Sequence, residues 1–291
     1  MTIQRLIEDR YGLPLCDHFP QCGEEHSQSG HTTQPTEDNS TLRTILQHAS
    51  ARKFESEKIQ ESLMQLLFAT AFSAPSKSDL QQVSVVRITD PSQRKRIISS
   101  NPKIAWTEHA PQFMVWCADN RRIRKVCEEK DYPFANDHLD SFMNAAVDAG
   151  IVMQTFIIAA DSVGLRCCPI SEVRDNIESL SMELNLPEHV FPVAGLCVGW
   201  PSESPSTSMR LPLNITVHVN KYDDEEALFR ISDYDHRREA IDQPPTEKQR
   251  QPERFGIADI YGWSEDRARQ YSVPLRSGFG CYIRKQRFNL C

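Results

Sequence analysis

Two arginines and a turn crowded with hydroxyls and amides are the residues of this chain best suited to holding a ligand. His48-Ala49-Ser50-Ala51-Arg52 lies just ahead of a helix-like run, and Ala74-Pro75-Ser76-Lys77-Ser78-Asp79-Leu80-Gln81-Gln82 follows that run. Further on, Trp200-Pro201 leads through a serine-rich loop to Arg210-Leu211-Pro212. Chemically these are two basic anchors and a hydroxyl-amide turn, and a few local arginines are enough to hold a phosphate. The turn also has a plain reading, in which Pro75 fixes φ, Ser76 and Ser78 bond to nearby backbone and Asp79 is solvated. No Ser-His-Asp or Cys-His signature stands out, so no side-chain nucleophile is expected.

The elements that must position these groups are read from periodicity. Leu42, Ile45 and Leu46 fall at helical spacing, and Lys58 to Phe72 spaces its Leu, Met and Phe residues as a helix with one wide apolar face. Val83–Ile88, Gln112–Ala118, Cys167–Ile170 and Val190–Gly199 read as buried strands. Further helices are expected at Ile3–Tyr11, Gln93–Ser99 and Asn176–Leu184, and the longest at Ser141–Val163. That last helix is apolar on nearly every face, so it must be covered on all sides, at the centre of a domain or by a partner subunit. The order is neither a regular βαβ alternation nor a GxGxxG nucleotide fold, and it predicts an α+β chain with a central sheet wrapped by helices.

With 291 residues, 39% hydrophobic and 25% charged, the chain has the composition of a soluble globular protein. A net charge of -7 argues against the broad basic surface that nucleic acids require. The segment MTIQRLIEDR carries Arg5, Glu8, Asp9 and Arg10 where an export signal needs an apolar core. Asp148, Gln154 and Asp161 interrupt the apolar stretch 145–163, so no membrane span is expected. Nine cysteines, an odd number with several inside apolar runs, suit reduced thiols in the cytoplasm. Residues 1–40 read as a flexible arm; Cys16, His18, Cys22 and His26 are zinc-type ligands, but their spacing is not a standard one, and no metal is expected.

Several segments, in order and at near-constant spacing, resemble the nitroreductase superfamily, and within it the NADPH-dependent, oxygen-insensitive nitroreductase and flavin reductase branch. They are HASARKF, APSKSDLQQ, VVRITDPSQR, FMVWCAD, DAGIVMQTFIIAADSVGL, LNLPEHVFPVAGLCVGWPSESP, RLP and a strand ITVHVNKY, covering roughly Leu42 to Tyr222. The resemblance implies a nitroreductase-like α+β fold, with a central mixed sheet wrapped by helices and a domain-interlaced homodimer carrying FMN at its interface. Composition sets apart the arm at 1–40 and a basic extension at 226–291, expected to pack on the core or on the partner, and the resemblance makes 41–225 an FMN-binding core.

By motif position, the resemblance gives His48, Ser50 and Arg52 to the FMN phosphate and ribityl chain. It gives Ser76 and Gln81 to the flavin, and Arg210 to a second phosphate anchor. Pro169, Ser171, Glu172 and Ser208 are the remaining cofactor-binding positions. Arg250 and Arg254 are the candidates for the NADPH 2′-phosphate. Five positions depart from the family pattern: Ala49 stands in place of an arginine, Ile104 in place of a glutamine, Ser171-Glu172 in place of a glycine pair and Ser208 in place of a lysine. Two lost cations and a gained carboxylate all oppose an anionic cofactor.

The implied activity is an FMN-dependent NAD(P)H oxidoreductase working by a ping-pong cycle on a nitroaromatic, quinone or flavin acceptor. One alternative is a specialised flavin-dependent reductase, dehalogenase or oxidase. Another is a degenerate, non-enzymatic homologue that binds a ligand.

Overall fold

The computed structural model describes residues 2–14, 39–241 and 245–291, so the Cys16, His18, Cys22 and His26 set lies outside the described residues. Along the chain run α1 (Ile3–Tyr11), α2 (Ser40–Leu46), α3 (Glu61–Ala71), β1 (Val83–Arg87), α4 (Pro91–Ser100), β2 (Gln112–Asp119), α5 (Arg121–Glu129) and α6 (Leu139–Ser162). After these come β3 (Arg166–Ile170), α7 (Ile177–Glu183), β4 (Val190–Gly199), α8 (Leu213–Thr216), α9 (Ala227–Glu239), α10 (Pro252–Phe255), α11 (Trp263–Tyr271) and α12 (Phe279–Lys285). They form two compact units, each assembled from two stretches: Met1–His48 with Ser206–Leu275, and Ala49–Pro205 with Arg276–Cys291. The arm, core and extension set apart by composition at 40 and 225 are thus shared out differently, with α1 and α9 in one unit and α12 in the other.

The larger unit, built from 49–205 and 276–291, is organised by a four-stranded sheet of order β1-β2-β4-β3. All three neighbouring pairs are antiparallel, whereas a mixed sheet was expected. The ITVHVNKY segment, expected as a strand, instead begins with the last two residues of α8 and forms no strand after them. Both faces of the sheet are covered. Met114 and Trp116 of β2 join one cluster with Leu67, Phe156 and Tyr282, while Phe113, Val115 and Cys117 join another with Ile97, Leu180 and Cys197. Side chains alternate across a strand, so a strand buried on both faces reads as one continuous apolar run, as β2 and β4 do.

Helix α6 packs Ala145, Ala149, Val152, Phe156 and Ala160 into the first cluster. It is long and apolar enough to cross a membrane, yet its inner face is part of this core and Asp148 and Asp161 are buried in it. Its outer face carries Leu139, Met143, Val147 and Ile151, which are 50%, 59%, 48% and 36% exposed. Spaced four apart, they form one stripe that none of the described residues covers.

In the smaller unit, α1 starts where Thr2 Oγ1 accepts from Arg5 N at 3.2 Å. It stops at Gly12, whose φ of 73° is the left-handed conformation glycine adopts freely. Buried Asp235 of α9 accepts from Ser264 N at 3.1 Å and so caps the start of α11, while Tyr234 meets Trp263 edge to face at 6.1 Å. Downstream of α8 no strand forms, because an extended segment needs an edge to pair with. Val217, Val219 and Tyr222 are left 48%, 74% and 75% exposed.

Candidate functional site

In the larger unit, the segment bearing Ser50 and Arg52 is tied to the sheet by backbone. Ala51 N donates to Cys167 O of β3 at 3.1 Å, Glu55 N donates to Trp200 O at 2.8 Å, and Phe54 bridges Pro201. Ala49 and Ala51 are buried, which leaves Ser50 half-buried and Arg52 exposed beside β3. Arg52 lies close enough to act on the Cys168 thiol: burial pushes that thiol up, Arg52 opposes the shift and Glu172 adds to it. One arginine and one carboxylate therefore act on the same β3 thiol. Among the described residues no carboxylate pairs with Arg52.

Pro169 is the exposed residue of β3, and the strand runs on into Ser171 and the turn Glu172–Arg174. This turn sits tightly on β4, since a Cβ on Gly195 would stand 2.7 Å from Val173 Cγ1. Asn101 Nδ2 donates to Glu172 O at 2.6 Å, and Ser171 Oγ takes a hydrogen bond from Arg276 Nη2 at 3.2 Å. Glu172 remains exposed, so the carboxylate that replaces a glycine points into accessible space. Ile104 does not line this region. It is 1% exposed and packs with Ile88 and Ile97 beneath the sheet, where an amide would lack partners.

The turn after α3 answers for its own composition. Ser76 Oγ accepts from Gln81 N at 3.1 Å, and Gln81 Nε2 donates to Asp79 Oδ1 at 3.2 Å. Ser78, Asp79 and Gln81 all have positive φ, at 51°, 55° and 49°. Each left-handed non-glycine residue costs about 1–2 kcal/mol, so surrounding contacts must hold the shape. They do: Arg122 Nη1 donates to Gln81 O, and buried Asp148 of α6 accepts from Lys77 N at 3.0 Å and from Gln82 Nε2 at 3.1 Å. Gln82 Oε1 in turn accepts from Asn120 Nδ2 at 3.0 Å. Ser76 and Gln81 thus serve the turn itself, on a platform fixed by a buried polar network.

Sequence reading missed that network. Asp148 was visible only as an interruption of an apolar stretch. A carboxylate in the middle of a buried helix is itself the signal, because it needs donors from another element.

The smaller unit holds the other candidates. His48 is half-buried and its N–H donates to Ile45 O at 3.2 Å. Ser208 and Arg210 flank buried Met209, so both are on the outward side of an extended segment, and Arg210 Nη1 donates to Ser208 Oγ at 2.9 Å. Arg10 of α1, which sequence reading placed in the arm, reaches the same segment: its Nη1 donates to Ser208 O at 3.1 Å, and its carbonyl accepts from Arg210 N at 2.6 Å.

A cavity of about 490 Å³ opens there, lined by Arg10, Tyr11, Arg210, Tyr234, Arg238 and Trp263 among others. Arg250 and Arg254 do not line it. Arg250 Nε is paired with Asp266 at 2.9 Å, and Arg254 lies over the Phe255 ring at 5.0 Å.

Much of the remaining basic tail is likewise neutralised locally, by pairs such as Arg269 with Glu265, Arg276 with Asp175, Lys285 with Glu178 and Arg287 with Glu188.

Comparison with known proteins completes the picture. Residues 45–200 match the Nitroreductase family, and residues 208–291 match the Nitroreductase family, C-terminal domain. An oxygen-insensitive NADPH nitroreductase of Salmonella typhimurium is 34% identical over 195 residues, which is 66% of this chain and 80% of that one. An NADPH-flavin oxidoreductase of Vibrio harveyi is 34% identical over 197 residues, 68% of this chain and 80% of its own. Among solved structures, B. megaterium NfrA2 aligns with a TM-score of 0.76 at 31% identity over 87% of this chain and 99% of its own. The Vibrio harveyi NADPH:FMN oxidoreductase complexed with NAD+ aligns with a TM-score of 0.73 at 29% identity, over 85% and 98% of the two chains. With matches running through both sequence regions and a shared fold over most of its length, the chain belongs to the nitroreductase family.

Proposed function

We propose that this protein is an FMN-dependent NAD(P)H oxidoreductase that passes two electrons, by a ping-pong cycle, to a nitroaromatic, quinone or flavin acceptor. The observation that carries the reading is Arg52. It is an exposed guanidinium without a carboxylate partner among the described residues, on a segment that Ala51 ties by backbone to β3, with half-buried Ser50 close by. An unneutralised arginine next to a hydroxyl fits a phosphorylated, polyol-bearing cofactor. Relatives named as an oxygen-insensitive NADPH nitroreductase, an NADPH-flavin oxidoreductase and an FMN reductase support the same cofactor pair.

When bound, FMN would supply two-electron redox chemistry between a nicotinamide and the acceptor. This chain's residues bind and orient. Arg52 and Ser50 hold the polar tail, the rigid Ser76–Gln81 turn presents its backbone, and Glu172 sets the charge near Pro169 and Ser171. No side chain is assigned a covalent or proton-transfer role.

We further propose that the enzyme is a homodimer. The stripe Leu139, Met143, Val147 and Ile151 on α6 and the exposed Val217, Val219 and Tyr222 offer two apolar surfaces suited to a second copy. A cytoplasmic setting fits the thiols, since the seven described cysteines are free and four of them are buried in the sheet.

The test is an absorbance spectrum after adding FMN and desalting, followed by anaerobic NADPH. Retained flavin bands that bleach with NADPH support the reading. A colourless protein overturns it in favour of a binding role.

A further inference from the structure

Helix α1 lies ahead of the family-matched residues, which begin at 45, and it brings a buried arginine to a place already held by another. Arg10 is 7% exposed, and its Nη1 bonds to the Ser208 carbonyl only two residues from Arg210. The pairing is deliberate in its construction. Gly12, at φ 73°, ends the helix against the Met209 sulfur, where an added Cβ would stand 3.2 Å away, and the Arg10 carbonyl takes the Arg210 N–H.

Arg238 of α9 lines the same cavity from another side, positioned by its bond to Tyr234 at 3.0 Å. Among the described residues no ion pair joins Arg10, Arg210 or Arg238 to a carboxylate. Burial and the neighbouring Arg210 both push the Arg10 guanidinium down from its ordinary range, the mark of a cation held without an anion.

We propose that Arg10, supplied by α1, is a binding residue for a phosphate monoester in this cavity, beside the phosphate anchor that the resemblance already gives to Arg210. The inference rests on the flavin and nicotinamide reading above, which provides two such groups, the FMN phosphate and the 2′-phosphate of NADPH. At about 490 Å³ the cavity accommodates a phosphate with part of the attached sugar. A dianion relieves the repulsion between the two guanidiniums and accepts charge-assisted bonds from both. Arg10 also stands against the carbonyl of Ser208, the position at which the family pattern places a lysine, so α1 returns a cation where the loop has lost one.

The experiment compares the full chain with Arg10→Met, which keeps the apolar stem and removes the charge, and with Arg10→Lys. Binding of FMN and riboflavin is followed by flavin fluorescence, and KM is measured for NADPH and NADH. A loss of about tenfold or more in FMN affinity with riboflavin unchanged, largely restored by lysine, assigns the cavity to FMN. A rise in KM for NADPH with NADH unchanged assigns it to the dinucleotide. Equal effects on the phosphorylated and unphosphorylated partner of both pairs, or no effect on any, overturn the proposal.

Calorimetric titration of inorganic phosphate separates this inference from the functional reading. A wild-type protein that takes no FMN ends that reading, while phosphate binding that Arg10→Met abolishes keeps the cavity assignment. Phosphate binding that is absent or insensitive to Arg10 ends the assignment as well.

Discussion

Replacing Asp148 by alanine removes an acceptor that two elements share. Its carboxylate, 1% exposed, takes hydrogen bonds from Lys77 N at 3.0 Å and Gln82 Nε2 at 3.1 Å, and Gln82 is equally buried. Hydrogen bonds to a charged group contribute about 1.5–3 kcal/mol each, so losing both costs about 3–6 kcal/mol. Relief from keeping a carboxylate out of water offsets a few kcal/mol, leaving a net loss of about 2–4 kcal/mol.

Urea unfolding, read from tryptophan fluorescence with the slope held common to both proteins, measures the change. Asp148→Asn should lose about 1–2 kcal/mol, because one oxygen still serves Lys77 N while its amide faces that of Gln82. Reversing the Gln82 amide does not help, since its oxygen is already engaged by Asn120 at 3.0 Å. The alanine variant should also release FMN faster, as the strained turn at Ser78, Asp79 and Gln81 loses its support. A loss below about 1 kcal/mol for alanine, or equal costs for the two variants, would show that the carboxylate is not what holds the turn.

Arg52→Ala should weaken FMN binding about 10- to 100-fold, the equivalent of one charge-assisted contact, with little change in urea midpoint because the side chain is exposed; unchanged flavin retention removes Arg52 from the site. Met143→Glu, placed in the middle of the exposed α6 stripe, should shift sedimentation from dimer toward monomer, and an unchanged distribution moves the subunit contact elsewhere.

Burial pushes the Cys117 thiol up to about 12 and the Tyr282 hydroxyl up to about 12. For both acids the folded value lies above the unfolded one, so their contribution to stability is complete below about pH 8.5 and fades as the pH rises toward 12. Urea midpoints should therefore fall steeply across that window, with Cys117→Ala flattening its lower part, and a profile flat from neutrality to pH 11 contradicts the assignment.

The sheet was legible in the sequence for a physical reason. A strand buried on both faces tolerates almost no polar residue, so QFMVWCA and VFPVAGLCVG marked β2 and β4 to within a residue. Helix α1 was expected at its observed bounds, which Thr2 and Gly12 cap in the structure. The segment ITVHVNKY has strand composition, but strand formation depends on an edge elsewhere, and composition does not report whether one is present.

Polar contacts between distant segments were the least legible. Nothing local ties Asp148 to Lys77 or Arg10 to Ser208, and each bond exists only once distant stretches of its own unit have packed. The departures were legible as substitutions but not as geometry: Ile104 proved to be core, whereas Glu172 proved to be exposed.

The route of the chain through its two units has a consequence for synthesis. The larger unit is interrupted after residue 205 and resumes at 276, and its first cluster is completed by Tyr282, Ile283 and Phe288, with Phe288 edge-on to both Phe142 and Phe191. A ribosome adding about 5–20 residues per second needs roughly 4 to 17 s to pass from 205 to 288. Through that interval the nascent unit carries Phe142 of α6 and Phe191 of β4 with their closing aromatic still unmade. A chaperone that shields apolar surface on emerging chains would find its longest-lived substrate there, and slowing translation between 206 and 275 should lower the soluble yield more than slowing it before residue 49.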